Sequence, residues 1–459
     1  MDFSKAMSEE KIPKLLFKFA LPCVMSLLVG ALYSIIDQIF IGNSSLGYLG
    51  NAATGISFPV ICIANAFAWC IGDASAAYLS ICSGQKDTES ADKCVGTGLI
   101  STFLISILLA VLSLIFQKPL MLAFGASDNT LELSLEYFRI IAAFFPVYLM
   151  INVMNSIIRA DGSPGYAMLA GVSGAVVNVI LDPIFIFALD MGIKGAAIAT
   201  VISQVLSFTA CILYFKKPKN FVLDRHSFKI DFEMIKKLIK LGSSTFITQI
   251  SIVVMALMSN IMLAHYGELS IYGRDIPISV FSIQTKVYTI VNNIIVGIAL
   301  GAQPIFGYNY GAKNLDRLKK TYKITLVTAL IVAFIATLIF EFFPQIIINI
   351  FGKGNELYRD FATKTFRIYL SLCIITGIIK MSSIFFQSIG KAVLATLSSL
   401  VRDMLCLVPF TIILCSLFEK AQAGQGIFGV LAAAPLSDII GGIVVVVLTV
   451  SFFHQIKKQ

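Results

Sequence analysis

The segment GYAMLAGVSGAVVNVILDP, residues 165–183, has a counterpart in KAVLATLSSLVRDMLCLVP, residues 391–409. Each is apolar, ends on a proline and is long enough to cross most of a bilayer as a helix, which needs about 20 residues. Two further pairs match in the same order, SIIDQIFI with LMSNIMLA and GIKGAAIATVISQ with GIFGVLAAAPLSD. Halves that repeat in the same direction predict a membrane protein built from duplicated helical units.

The composition of the whole chain agrees with a membrane-embedded protein. The 459 residues are 57% hydrophobic and only 13% charged, and the mean hydropathy is +0.87. A water-soluble fold cannot cover so much apolar surface with so few polar side chains. Soluble enzymes and nucleic-acid-binding proteins are therefore excluded, and we interpret the net charge of +9 as a determinant of topology.

The apolar stretches divide the chain into spanning segments. We predict an all-α membrane protein with twelve transmembrane helices in two six-helix parallel repeats. The domains are an N-terminal lobe (1–216), a cytoplasmic inter-lobe loop (217–240) and a C-terminal lobe (241–459). The predicted spans are 13–42, 52–82, 95–116, 135–159, 165–188, 192–216, 234–265, 276–310, 319–343, 362–388, 391–417 and 427–455.

Lysine and arginine predict the orientation of these spans. With the N-terminus placed inside, the inner segments hold most of the basic residues, so both termini are expected in the cytoplasm of a cell-membrane protein. The N-terminus lacks the cationic region and cleavage site of a secretory signal, so the first apolar stretch is expected to remain as a span. The nine cysteines and three histidines form no metal-ligand pattern.

Polar residues inside the first repeat predict a cation site. Tyr33 and Asp37 share one face of the first span, and Asn178 and Asp182 share one face of the fifth. Pro183 follows directly, and its missing N–H loosens the helix and frees a backbone oxygen beside the carboxylate. Ionisable groups inside a span are costly, so each of them indicates a function.

Two further residues fall at the same depth on neighbouring spans. Tyr137 lies early in the fourth span and Thr200 early in the sixth, so the whole cluster is expected within about 7–12 Å of the outer boundary. Its carboxylate, amide and hydroxyl oxygens can bind Na+, whereas two close carboxylates can share a proton. The alternative is a set of interhelical hydrogen bonds, and it applies most to Thr200 and Tyr137.

The eighth span ends in GAQPIFGYNYGA, residues 301–312. We predict that Pro304 and the glycines break the helix near its inner end, and that Gln303 adds a polar group there. The break could form a gate at the cytoplasmic mouth, or the segment could be a capped helix end before a basic loop.

The second repeat lacks the acidic cluster. Arg402, Asp403 and Asp438 are predicted to form a buried ion pair of structural use. Lys286 and Lys380 could either form ion pairs or face a cavity. Ion coupling is therefore expected in the first lobe only.

These residues together resemble the multidrug and toxic compound extrusion (MATE) transporters, in particular their bacterial multidrug exporter branch. The resemblance covers nearly the whole chain. It rests on Y-x3-D-x4-G from Tyr33 to Gly42, N-x3-D-P from Asn178 to Pro183, the signature GAQPIFGYNYGA and the late segment GIFGVLAAAPLSD.

The resemblance implies a V-shaped, two-lobed antiporter that expels drugs in exchange for Na+ or H+. In that family an aspartate of the first helix and an asparagine and aspartate of the fifth form the cation site, which corresponds here to Asp37, Asn178 and Asp182, with Thr200 and Tyr137 nearby. Some branches use acids in the second lobe, where this chain has lysines, so second-lobe coupling is not expected.

Two other functions predict different sequence features. A lipid-linked precursor flippase of a related fold should carry more cationic cavity residues and often fourteen helices. An intramembrane enzyme would need a nucleophile beside a base or a metal, and no span has one. The expected partners are hydrophobic drugs or organic cations and membrane lipids, with Na+ or H+ as coupling ion, no other cofactor, no nucleic acid and a monomeric state.

Overall fold

The computed structural model describes residues 3–44, 46–224, 227–351 and 356–456, and within these ranges helices are the only regular secondary structure. In chain order the α-helices are α1 Phe3–Glu9, α2 Ile12–Gly42, α3 Tyr48–Gln85, α4 Thr88–Ile115, α5 Gln117–Ala123, α6 Asp128–Ala143, α7 Phe145–Ala160, α8 Pro164–Pro183, α9 Gly192–Phe215, α10 Phe232–Glu268, α11 Asp275–Gly311, α12 Leu315–Phe342, α13 Pro344–Phe351, α14 Glu356–Tyr369, α15 Cys373–Ser388, α16 Ala392–Leu400, α17 Val408–Ala421 and α18 Gly426–Ile456.

Ten helical stretches in the described residues are long and apolar enough to cross a membrane, and two bent helix pairs raise the number to twelve. The prediction of an all-α protein with about twelve spans is confirmed. The bent pairs are α6 with α7, at 54°, and α14 with α15, at 48°. They coincide with the fourth and tenth predicted spans, which are equivalent positions in the two repeats.

The fifth and eleventh spans also share a local irregularity. After Pro183 the chain continues as a π-helix over Ile184–Ala188, and before Pro409 it forms a π-helix over Val401–Leu407. Because proline has no N–H to donate, the usual α-helical bond is lost there and a wider turn can replace it. Both halves of the chain thus contain a π-helix next to the proline of this span.

Packing divides the chain into two compact units. Unit 1 comprises 1–249, 300–318 and 387–392, and unit 2 comprises 250–299, 319–386 and 393–459. These units are defined by packing, whereas the predicted lobes 1–216 and 241–459 are defined by the sequence repeats. The two lobes therefore stay a prediction.

Unit 1 has its core among α3, α4, α6, α7 and α9. The largest fully buried side chains there include Phe138, Phe145 and Leu79. The helices α2, α8 and α9 pack in sequence beside this core, because α8 lies against both of the others. This arrangement brings the polar positions of α2, α8 and α9 together.

The start of the loop that follows α9 is held by the carboxylate of Asp161. Asp161 accepts hydrogen bonds from the Tyr214 hydroxyl (2.7 Å) and from the backbone N–H groups of Lys219 and Asn220 (2.8 Å each). Burial raises the pKa of the Asp161 carboxyl group, and these hydrogen bonds oppose that shift. The first part of the predicted inter-lobe loop is therefore anchored.

Unit 2 has a separate core around α14, α17 and α18. Phe361, Phe366 and Leu431 are almost completely buried in it. Many large apolar side chains on the outside of both units are exposed, such as Phe17 and Ile350 at 67% and 76%. Such surfaces suit hydrocarbon rather than water.

Candidate cation site

Four of the predicted polar residues of the first repeat lie on three helices of unit 1. Asp37 is on α2, Asn178 and Asp182 are on α8, and Thr200 is on α9. Asn178 and Asp182 are completely buried, and Thr200 is 9% exposed. The spacing of four residues on α8 places its amide and its carboxylate on one face, toward α9.

Hydrogen bonds connect the members of this cluster. The Asn178 Nδ2 group donates to Asp182 Oδ1 at 3.2 Å and lies 3.4 Å from Thr200 Oγ1. The side chains of Asp37 and Asp182 lie within hydrogen-bond reach of each other. Because two carboxylates both accept, such a contact requires a proton between them or a cation beside them.

Three oxygen atoms of the cluster are buried and have no hydrogen-bond partner among the described residues. They are Oδ1 of Asp37, Oδ1 of Asn178 and Oδ2 of Asp182. Buried oxygens of this kind are costly unless something satisfies them. Carboxylate and amide oxygens are suitable ligands for Na+, and the carboxylates alone can take up H+, so both predicted coupling ions fit the donor set.

Two phenol groups lie near the carboxyl pair. Tyr33 on α2 and Tyr137 on α6 both lie close enough to Asp37 and Asp182 to interact with their charges. The structure therefore brings all six residues of the predicted cation site into one region of unit 1. The helix α6 begins at Asp128, before the predicted start of the fourth span at 135, so Tyr137 lies deeper along its helix than expected.

Sequence reasoning missed a polar chain beside this region. Tyr148 on α7 lies within electrostatic range of Tyr33, and its hydroxyl accepts a hydrogen bond from Asn65 Nδ2 at 2.7 Å. Asn152 Nδ2 in turn donates to Asn65 Oδ1 at 3.2 Å. Tyr148 and Asn152 are four residues apart on one helix face, but they carry no charge and have no charged residue beside them on that face to mark them in the sequence.

The predicted break at Pro304 is wrong. Helix α11 continues without interruption through Pro304 to Gly311, and the side chain of Gln303 is 2% exposed. Gln303 Nε2 donates to the backbone oxygen of Asp73 at 3.3 Å. Asp73 itself accepts from Ser156 Oγ at 3.2 Å. A proline can remain inside a helix when packing on every side compensates for the lost bond.

Close backbone packing surrounds the C-terminal end of α11. A Cβ atom added to Gly84 of α3 would collide with the Tyr308 carbonyl oxygen, and one added to Gly311 would collide with the Ile81 carbonyl oxygen. The glycines of this motif therefore permit a close approach between α3 and α11, rather than a bend. The predicted role of this region as a gate stays a prediction.

A network of charges occupies the interior of unit 2. Arg402 donates from Nε to Asp438 Oδ1 at 2.8 Å and from a terminal nitrogen to Asp403 Oδ1 at 2.7 Å. Lys380 Nζ donates to Asp403 Oδ2 at 3.0 Å, and Thr376 Oγ1 to Asp438 Oδ1 at 3.1 Å. Two positive and two negative groups balance, and every one of them is paired.

A comparison with protein families identifies this architecture. The family model described as MatE matches residues 22–184 and 245–413. The chain belongs to the MATE family. It is thus a multi-pass membrane transporter and not an enzyme, and the resemblance inferred from its motifs is confirmed.

Individual relatives of this MATE protein are distant. The multidrug export protein MepA of Staphylococcus haemolyticus is 25% identical over 413 residues, which cover 89% of this chain and 88% of the relative. MepA of Staphylococcus aureus strain MSSA476 is also 25% identical, with 89% of each chain covered.

Solved structures share the fold over the full length. A crystal structure of a MATE protein in complex with MaL6 superposes with a TM-score of 0.90, and an outward-facing multidrug resistance transporter of the MATE family with 0.88. Both are 23% identical in sequence, and each alignment covers 100% of both chains. At this identity the likeness establishes the MATE fold alone.

Proposed function

We propose that this MATE protein is a secondary active multidrug efflux antiporter, which expels hydrophobic, cationic small molecules in exchange for Na+ or H+. One observation carries the proposal. Asp37 and Asp182, from different helices, lie within hydrogen-bond reach in the interior of unit 1, and each keeps one buried oxygen without a partner among the described residues. Such a pair suits reversible binding of a monovalent cation.

The pair can couple ion binding to a change in its own helices. Without a bound cation the two carboxylates repel, and a proton or Na+ removes that repulsion. Asp182 directly precedes Pro183 and the π-helix Ile184–Ala188, where the backbone hydrogen bonds are already rearranged. A cation that binds at the pair can therefore shift α8 between two patterns of backbone hydrogen bonds.

The movement that follows is a rocking of the two lobes, with the inter-lobe loop 217–240 as part of the pivot. Because Asp161 holds residues 219 and 220 and Asp92 holds residue 222, we propose that the pivot lies beyond these residues in the chain. Each ligand shifts the equilibrium between the two arrangements of the lobes by the difference in its affinity for them. If the cation binds one arrangement more tightly and the drug the other, movement of the cation in one direction drives the drug in the opposite direction.

Several observations support a hydrophobic cation as the exported class. An anionic cluster in an apolar surrounding attracts organic cations, and the 36 Phe and 14 Met of the chain supply adaptable apolar walls. The relatives named as multidrug export proteins point to the same class of activity.

The basic residues near the span ends support a cell-membrane location with both termini in the cytoplasm. We propose a monomer as the functional unit.

The decisive experiment uses the purified protein in liposomes with ethidium as the transported cation. A Na+ gradient and a pH gradient are imposed separately, and ethidium transport is followed by fluorescence. Transport driven by one gradient, and lost when that gradient is collapsed, supports antiport and names the ion. Absence of ethidium movement under both gradients, with protein shown to be folded, contradicts the proposal.

A further inference from the structure

A groove of about 500 Å³ lies within unit 2 between α12, α15 and α18. This volume falls within the range of small-molecule pockets. Helix α12 contributes Lys319 and Lys323 to its lining, and α18 contributes Val446, Val450 and His454. All lining residues belong to the same compact unit, so the groove is a feature of that unit alone.

The floor of the groove is rigid. The Tyr322 ring is 7% exposed, lies 4.6 Å from the Phe385 ring and 5.4 Å from the Phe453 ring, and its hydroxyl is 2.8 Å from Ser382 Oγ. The two ring pairs are tilted, at 58° and 56°, and aromatic side chains packed against one another in this way hold their positions well. The groove is thus preformed, and little side-chain entropy is lost when it is filled.

Charge and apolar surface are separated along the groove. Lys319 and Lys323 are one turn apart near the start of α12, and His454 is near the end of α18, so three basic side chains meet at one membrane end. No carboxylate forms an ion pair with either lysine in the described part of the chain. In the sequence Lys457 and Lys458 follow His454, although both lie outside the described residues.

The apolar part of the groove extends from this basic end toward the bilayer interior. Val446 and Val450 are 45% and 64% exposed. The stretch of α18 from Val446 to His454 measures about 12 Å, at 1.5 Å per residue. An occupant therefore needs a negative headgroup and at least one hydrocarbon chain of comparable length.

We propose that this groove binds one anionic phospholipid, with its phosphate at Lys319, Lys323 and His454 and one acyl chain along Val446 and Val450. A free phosphate ion would leave the apolar part empty, and a neutral phospholipid would leave the cations without a matching net charge. Basic pockets between transmembrane helices commonly hold anionic headgroups in this way. The proposal is independent of the transport reaction and of the coupling ion.

The test measures lipid binding directly by native mass spectrometry of the purified protein. Phosphatidylglycerol and phosphatidylcholine with identical acyl chains are titrated in parallel. We expect a preference for phosphatidylglycerol, and we expect Lys319→Gln combined with Lys323→Gln to reduce that preference on the order of tenfold. Lys320→Gln is the matched control, since Lys320 is an exposed neighbour that does not line the groove. This variant should bind phosphatidylglycerol as the wild type does.

A second variant separates the groove from general surface charge. Val450→Trp keeps every lysine but fills the apolar part, and we expect it to weaken phosphatidylglycerol binding at least severalfold. The proposal is overturned by equal binding of the two lipids to the wild type. It is also overturned if Lys320→Gln loses as much binding as the double variant, or if Val450→Trp binds phosphatidylglycerol normally.

Discussion

The carboxyl groups of Asp37 on α2 and Asp182 on α8 lie within hydrogen-bond reach of each other inside unit 1. Asn178 fixes one side of the pair, because its Nδ2 group donates to Asp182 Oδ1 at 3.2 Å. The contact joins the two helices that pack against each other beside the core. Any change in the charge of the pair therefore acts on the interface between α2 and α8.

Neutral variants of the pair should abolish coupled export. Asp37→Asn and Asp182→Asn each remove one negative charge while nearly preserving volume, so the protein should fold but lose the cation site. We expect ethidium transport in liposomes to fall at least tenfold, to near background, with an unchanged size-exclusion profile.

The matched control is Asp128→Asn, which neutralises an exposed acid of unit 1 at the start of α6. It should transport as the wild type does. Full gradient-driven export by either Asp37→Asn or Asp182→Asn would show that the pair does not carry the coupling ion.

The Thr200 hydroxyl should tune the affinity for the coupling ion without being essential. It lies 3.4 Å from Asn178 Nδ2, and Thr200→Val removes this oxygen while keeping the shape of the side chain. If the ion is Na+, we expect the Na+ concentration for half-maximal transport to rise about three- to tenfold, since a single weak ligand is lost.

Thr209→Val is the control for this change, because Thr209 is on the same helix and exposed, and its hydroxyl donates to the Val205 carbonyl of α9 itself. Its half-maximal concentration should not move. An unchanged value for Thr200→Val, in a protein shown to be driven by Na+, would remove Thr200 from the ion site.

The acidic cluster was predictable from the sequence for a physical reason. Charges inside a span are rare, and a spacing of four residues fixes which side chains share a helix face. Asp37, Asn178 and Asp182 could therefore be grouped by depth and face alone. The repeats then placed Pro183 and Pro409 at equivalent positions, and both lie beside a π-helix.

Features that depend on packing were not predictable in this way. Pro304 was expected to break α11, but whether a proline ends a helix depends on neighbours that only the fold supplies. The partner of Lys380 remained open until the fold placed Asp403 at 3.0 Å. The contact of Asn65 with Tyr148 joins α3 to α7, and no spacing rule within one helix predicts contacts between helices.

The charge network of unit 2 should be needed for stability. Arg402→Leu would leave Asp438 buried without its cationic partner and Asp403 with Lys380 alone, at a cost of about 3–5 kcal/mol. We expect a marked loss of folded protein and a lower melting temperature in fluorescence-detected size exclusion. Arg274→Leu is the control, since its ion pair with Glu268 is exposed on both sides and should contribute less than about 1 kcal/mol. Equal melting temperatures for the two variants would contradict this role.

The close approach of α3 to α11 should tolerate no side chain at Gly84. In Gly84→Ala the new Cβ would meet the Tyr308 carbonyl oxygen, so the helices must separate. We expect a lower melting temperature. Gly30→Ala on α2 is the control, because no atom of the described residues lies within 4 Å of its added Cβ and alanine favours a helix by about 1 kcal/mol. A Gly84→Ala protein as stable as Gly30→Ala would contradict the packing described for these helices.

The anchored loop after α9 makes a prediction that can be measured at single backbone amides. Asp161→Ala removes the acceptor for the N–H groups of Lys219 and Asn220, whereas the N–H of Val222 is held separately by Asp92 Oδ1 at 2.7 Å. Loss of a charged acceptor costs about 1.5–3 kcal/mol, so hydrogen exchange at positions 219 and 220 should accelerate about tenfold or more. Asp92→Ala is the reciprocal control and should accelerate exchange at position 222 only. If Asp161→Ala leaves positions 219 and 220 protected, the loop is held by other contacts and the pivot need not lie beyond these residues.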